Sequence, residues 1–217
     1  MSARRMSRTS GLAALGAAGV AYLLGVHVLM TRAPDGPWTV LAVLAPLLLA
    51  ALVGAVRAGG WWLGVLLAAC LVLLGAAAAR GGPLAPQPLY LAQHAGVHLA
   101  LALAFGASLR AGGTPVIAAL AARVHRELQR PFTPAMATYT RRITLAWTLY
   151  FIAMAGVSVA LFALTRFSTW AVFANLLTPL ATGLMFAVEY WLRYQLHPEF
   201  ERTSVADALR AYLRPRA

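Results

Sequence analysis

The residues best able to do chemistry in this chain lie inside apolar surroundings. Gln93, His94 and His98 fall within one long hydrophobic stretch, and Asn175 within another. His94 and His98 are spaced i and i+4, so on a helix they share a face. Two imidazoles on one face suit a metal ion or a proton relay. A zinc site needs further ligands, and only His27 and Asp35 are within reach, without a motif such as H-E-x-x-H. A haem needs axial histidines at matched depth on facing helices, which only His27 and His94 approach. The plainer expectation is a pair of neutral histidines hydrogen-bonded within a bundle, with no metal and no cofactor. Asn175 is expected to bond a neighbouring helix near Ser158.

Glu189 is the one acidic residue inside a hydrophobic stretch; the other acidic residues fall in hydrophilic segments. A carboxylate there could carry protons, but carboxylates at membrane depth usually find cationic partners. Arg193, one helical turn on, is the expected partner, with Arg141 and Arg142 as further candidates. No catalytic pattern accompanies these groups: no Gly-rich phosphate loop, no G-x-S-x-G, no paired carboxylates and no cysteine cluster. Cys70 is the only cysteine and lies in an apolar run, where a small packing residue is expected.

The elements that must position these residues are apolar runs too long and clean for a soluble core. The chain is 61% hydrophobic and 11% charged, where a soluble domain carries about 25% charged residues. Hydrocarbon roughly 30 Å thick needs about 20 apolar residues per spanning helix. Six such stretches are present, at about 11–30, 38–56, 61–79, 89–109, 143–165 and 170–192. The fold class expected is therefore all-α, a polytopic bundle of six spans in one membrane domain covering 1–217. The first stretch follows Arg4, Arg5 and Arg8 like a signal peptide, but it is longer than an h-region and no small-x-small site follows, so it reads as a retained helix. Pro46 and Pro179 are expected to kink the second and sixth spans.

Charge orients the bundle. All 18 basic residues are arginines. In the six-span map only Arg32, Arg80 and Arg166 fall on one side; the rest fall on the other. Cytoplasmic loops retain positive charge, which places both ends and the linker 110–142 in the cytoplasm, with the tail 193–217. A net charge of +12 might otherwise point to nucleic acid, but here the arginines cluster at span ends, within reach of anionic headgroups. Lipid headgroups at the cytoplasmic face and other inner-membrane proteins are the expected partners, with no nucleic acid. Trp38, Trp61, Trp62, Tyr90, Trp170, Trp191 and Tyr194 fall at span ends as interfacial aromatics.

Two cytoplasmic segments have amphipathic patterns. From Pro115, Ile117, Leu120, Ala121, Val124 and Leu128 recur at helical spacing, with Arg123, Arg126, Glu127 and Arg130 on other faces. This helix either lies among the headgroups or packs on the span ends, and Pro131 and Pro134 are expected to end it. Beyond Pro198, Val205, Ala208, Leu209, Tyr212 and Leu213 form a second stripe after the capping pair Ser204 and Asp207.

One stretch carries a resemblance. Arg126-Glu127-Leu128, a proline-bearing linker, the run Ile143-Thr144-Leu145-Ala146-Trp147-Thr148-Leu149-Tyr150-Phe151-Ile152, the turn Ser168-Thr169-Trp170 and the exit Tyr190 to Tyr194 follow in order over about 115–198. This half resembles the intracellular septation protein A family of bacterial inner-membrane proteins. Thr144 and Ser158 stand where that family has asparagine, and a family lysine is missing around Ala174. The lead-in Tyr139-Thr140-Arg141-Arg142 and the tail His197-Pro198-Glu199 resemble a related group found beside aryl-polyene and fatty-acid-like biosynthesis genes. The resemblance implies an envelope-associated inner-membrane protein and no particular reaction. The expectation is a non-enzymatic scaffold or accessory to partner membrane proteins or lipid metabolism. The alternatives are a small transporter or lipid- or polyene-handling protein, and a membrane redox or metal-dependent enzyme using His94 and His98.

Overall fold

The computed structural model describes residues 2–57 and 86–200, with isolated positions at 65, 69, 72 and 73. The expected third span, Cys70, and the tail helix after Pro198 lie outside the described residues. Among the described residues the regular structure is helical, with no strand. The helices are α1 (Ser2–Arg32), α2 (Pro37–Arg57), α3 (Pro86–Ser108), α4 (Val116–Glu127), α5 (Pro134–Leu164), α6 (Phe167–Val172) and α7 (Thr178–Leu196), with a π-helical segment, Phe173–Leu177, between α6 and α7. Three helical stretches are long and apolar enough to cross a membrane: Gln87–Ser108, Pro134–Leu164 and Phe167–Leu196, with mean hydropathies of 1.3, 1.9 and 1.7.

Proline sets several helix starts. Pro37, Pro86 and Pro134 each open a helix, where the missing N–H has no intrahelical partner to lose and φ is already helical. Pro134 therefore starts α5 well before the predicted Ile143. It does not end α4, and neither does Pro131. That helix closes earlier, in a Schellman motif: Arg130 N–H donates to the His125 carbonyl at 2.8 Å and Gln129 N–H to Arg126 at 3.1 Å, with Gln129 at φ 54°. The first helix likewise begins at Ser2, not Gly11, because nothing between them breaks a helix.

Pro46 lies inside α2 and leaves the Ala42 carbonyl without its i+4 donor. The Tyr22 hydroxyl of α1 donates to that carbonyl at 2.6 Å, which satisfies it within the protein.

The described chain forms two compact units. The first comprises Met1–His94 and Ser158–Leu180, the second Ala95–Val157 and Ala181–Ala217. The core of the first gathers Val26, Met30, Val40, Val43, Leu44, Tyr90, Trp170 and Ala171. Tyr90 and Trp170 are each 1% exposed, so these two are core residues and not interfacial aromatics; the Tyr90 hydroxyl donates to the Pro34 carbonyl. Trp38 is 75% exposed.

The second unit packs around Ala102, Trp147 and Phe151, with Phe105, Ile117 and Met185 against them. A Cβ on Gly106 would stand 3.3 Å from Thr148 Cγ2, so the glycine lets α3 and α5 approach closely. The amphipathic helix α4 packs on this unit. Its Ala118, Val124 and His125 are buried, and its first-turn amides are satisfied by Ser108 Oγ, 3.1 Å from Val116 N, and Thr144 Oγ1, 3.3 Å from Ile117 N.

Hydroxyl groups are buried beside the apolar cores, and much apolar surface is exposed. Thr39, Thr140, Thr144, Thr148, Ser158, Thr178 and Glu189 are buried, while Leu103, Leu149, Leu164, Leu180, Leu184 and Phe186 are exposed. Exposed apolar surface on this scale is a lipid- or partner-facing surface.

Candidate functional site

In the first unit, His94 is the centre of a directed hydrogen-bond chain. Its Nδ1 lies 3.0 Å from Ser158 Oγ and its Nε2 3.3 Å from Thr178 Oγ1. Trp170 Nε1 donates to the same Ser158 Oγ at 3.0 Å, and the Thr178 hydroxyl donates to the Phe173 carbonyl at 3.0 Å. Each hydroxyl has one proton to give. Thr178 gives its proton to Phe173, so it accepts from His94 Nε2–H. Nδ1 then accepts from Ser158, whose oxygen accepts from Trp170. For a neutral imidazole this network places the proton on Nε2. Ser158 is fully buried, and His94 meets Trp170 and Phe173 edge-on at 6.0 and 5.8 Å.

The backbone around this chain is irregular for a physical reason. Thr178 N–H reaches back five residues to Phe173, the π pattern, and Pro179 next in sequence has no N–H to offer. The widened turn rotates the following residues relative to an α-helix. Asn175, inside it, therefore does not meet Ser158. Its Nδ2 donates to Met30 Sδ at 3.0 Å. Gln93 faces yet another neighbour, donating to the Val43 carbonyl at 2.8 Å. His98 belongs to the second unit, edge-on to Phe151 at 6.2 Å. The four residues expected to form one polar site are thus distributed among separate partners. No group of three or more His, Cys, Asp or Glu side chains able to hold a metal occurs among the described residues. Two buried polar atoms, His27 Nδ1 and Gln93 Oε1, have no hydrogen-bond partner there.

In the second unit, the expected ion pair forms. Arg193 holds Glu189 through Nη2 at 2.6 and 2.7 Å and Nε at 2.9 Å, and the Tyr139 hydroxyl donates to Glu189 Oε1 at 3.1 Å. Arg141 is not part of it: its Nη2 donates to the Leu109 carbonyl at 2.7 Å. Arg142 is exposed and makes no ion pair with Glu189. Arg141, two residues beyond Tyr139, stands on another face of α5.

Sequence reasoning missed two features here. Thr140, Thr144 and Thr148 form a buried column on α5, each donating to the carbonyl four residues back at 2.7–2.8 Å. The i, i+4, i+8 spacing of threonine was the available signal. A half-open cavity of about 50 Å³ is also present, lined among others by Ala121, His125, Phe132, Tyr139, Arg193 and Phe200. His125 is 9% exposed, and its Nδ1 lies 2.9 Å from the Pro131 carbonyl. A carbonyl only accepts, so that nitrogen carries the proton.

Beyond α7, His197 Nδ1 sits 2.9 Å from Glu199 Oε1. The hydrogen bond from His197 holds the Glu199 carboxyl below its ordinary value, helped by a backbone hydrogen bond. A depressed carboxyl contributes its stability above the unfolded value and loses it as pH falls through the folded one. The expected result is that Glu199→Gln and wild type melt apart at neutral pH and converge as pH drops below the ordinary carboxylate range. A constant difference across that range would contradict the assignment.

Among the described residues these features define a helical protein with three stretches fit to cross a membrane and with buried polar groups. Comparison with protein-family models, curated proteins and solved structures finds no match.

Proposed function

We propose that this chain is a non-enzymatic protein of the bacterial inner membrane, crossing it six times with both ends in the cytoplasm. In this reading it serves the cell envelope as a scaffold or accessory to partner membrane proteins or lipid metabolism. The observation that carries the proposal is the use of the intramembrane polar groups as internal fasteners. His94 is engaged by Ser158 and Thr178, Asn175 by Met30, and Glu189 by Tyr139 of α5. Groups held this way position helices and are not presented to a substrate. The arginine asymmetry supports the orientation. The 21 residues of α2 give it about 31 Å of length at 1.5 Å per residue, and the resemblance of 115–198 to envelope proteins supports the setting.

The test combines topology and association. Single cysteines introduced at Ser2, Arg126 and Arg202 in a Cys70→Ala background are expected to resist an impermeant thiol reagent in intact cells and to react after lysis. Crosslinking in native membranes is expected to trap a defined partner. Labelling of the linker from outside, or a chain that remains uncrosslinked at every site, would reject the proposal.

The unpartnered His27 Nδ1 and Gln93 Oε1 favour one second reading, a small transporter with a polar path in the first unit. That reading requires Gln93→Leu to abolish solute flux in liposomes; the scaffold reading requires no flux to abolish.

A further inference from the structure

We propose that the cavity of the second unit binds a small hydroxyl-bearing group of the glycerol type, carried on a lipid headgroup. This rests on the membrane reading above. The position comes first. The cavity is walled by Met136 and Tyr139 from the first turns of α5 and by Arg193 and Tyr194 from the last turns of α7. Both are helices fit to cross a membrane, so their ends stand at headgroup depth.

The chemistry of the lining then selects the ligand. Pro131 engages His125 Nδ1, so in the neutral ring Nε2 is an acceptor, with no partner among the described residues. His125 is nine-tenths buried and lines the cavity. Glu189 engages Arg193 through Nε and Nη2, which leaves Nη1 a donor. A ligand must therefore give one hydrogen bond and take another. A hydroxyl does both on one oxygen. A carboxylate or phosphodiester cannot donate to Nε2, and an ammonium cannot accept from a guanidinium. Charge points the same way. Glu189 already neutralises Arg193, so the cavity has no spare cation to balance a buried anion. Size sets the limit: at roughly 10–15 Å³ per water-sized group, about 50 Å³ admits only a few such groups. Phe132, Met136 and Phe200 supply apolar walls for the carbons of a short polyol. The exposed Arg126, on the helix that carries His125, is available to the phosphate of the same headgroup outside the cavity.

The experiment is native mass spectrometry of the full chain, purified in detergent and exposed to equimolar phosphatidylglycerol, phosphatidylethanolamine and phosphatidic acid. Phosphatidylglycerol is expected to be retained at least tenfold over the other two. Ala121→Leu, which fills the cavity without touching a polar group, is expected to abolish the preference at unchanged melting temperature; His125→Phe is expected to do the same. Equal retention of all three lipids, or a preference that survives Ala121→Leu, would overturn the inference. Free glycerol that binds the wild type and not Ala121→Leu, with all three lipids retained equally, would show a soluble polyol to be the ligand, keeping the hydroxyl chemistry and rejecting the lipid source. A chain that carbonate extracts from membranes without detergent fails the membrane reading first; one that stays in membranes but shows no headgroup preference fails this inference alone.

Discussion

Glu189→Ala is expected to destabilise the folded chain by about 2–3 kcal/mol, measured by unfolding in detergent. Removing one member of a buried ion pair typically costs about 3–5 kcal/mol, because the partner's charge is stranded. The lower figure applies because the Arg193 side chain is 30% exposed and water screens part of its charge. The loss is compounded by Tyr139, whose hydroxyl donates to the same carboxylate. The sharper expectation concerns the double variant. Glu189→Ala with Arg193→Leu removes both charges, so it is expected to recover more than half of the loss. Recovery would show that the stranded guanidinium, and not lost packing, causes the defect. A Glu189→Ala protein as stable as wild type, or a double variant no better than the single, would show the pair to be incidental.

This pair was legible in the sequence because it depends on one helix alone. An i, i+4 spacing fixes the neighbour whatever the tertiary structure does. The same holds for α4, whose apolar residues recur at helical period. What the period could not decide was where that face would rest. The structure places it on protein, with Thr144 and Ser108 meeting its first amides.

Features that depend on two helices at once were less legible. Asn175 was misassigned because the π segment shifts the helical phase at that residue, and no hydropathy pattern signals such a shift. Tyr90 and Trp170 were misassigned because a core anchor near a span end has the same residue type and position as an interfacial aromatic. The buried threonine column on α5 escaped notice for another reason: each hydroxyl donates to its own helix at i−4, so apart from the i, i+4, i+8 spacing nothing in the sequence points to it. Gln93, His94 and His98 were correctly placed on one helix. Their partners lie on other helices, and composition does not choose among them.

The largest loss is expected from Trp170→Ala, about 3–5 kcal/mol, the usual range for emptying a buried aromatic site. Trp170 is 1% exposed, stacks on Phe167 at 5.4 Å and meets Phe162 edge-on at 5.6 Å, so its removal opens a void lined by rings. Trp170→Phe separates packing from hydrogen bonding. It keeps much of the ring but removes the only donor that reaches Ser158 from that side, and such bonds between membrane helices contribute about 0.6 kcal/mol, at most about 1.7. Ser158→Ala is expected to cost more than Trp170→Phe, because it strands both the Trp170 N–H and the His94 Nδ1 acceptor. In the double variant Trp170→Phe, Ser158→Ala the indole donor is gone, so the serine's loss should weigh less than it does alone. That non-additivity, read in a double-mutant cycle with melting in detergent, is the signature of the bond between Trp170 and Ser158. Strictly additive losses would mean that Ser158 does not accept from the Trp170 indole.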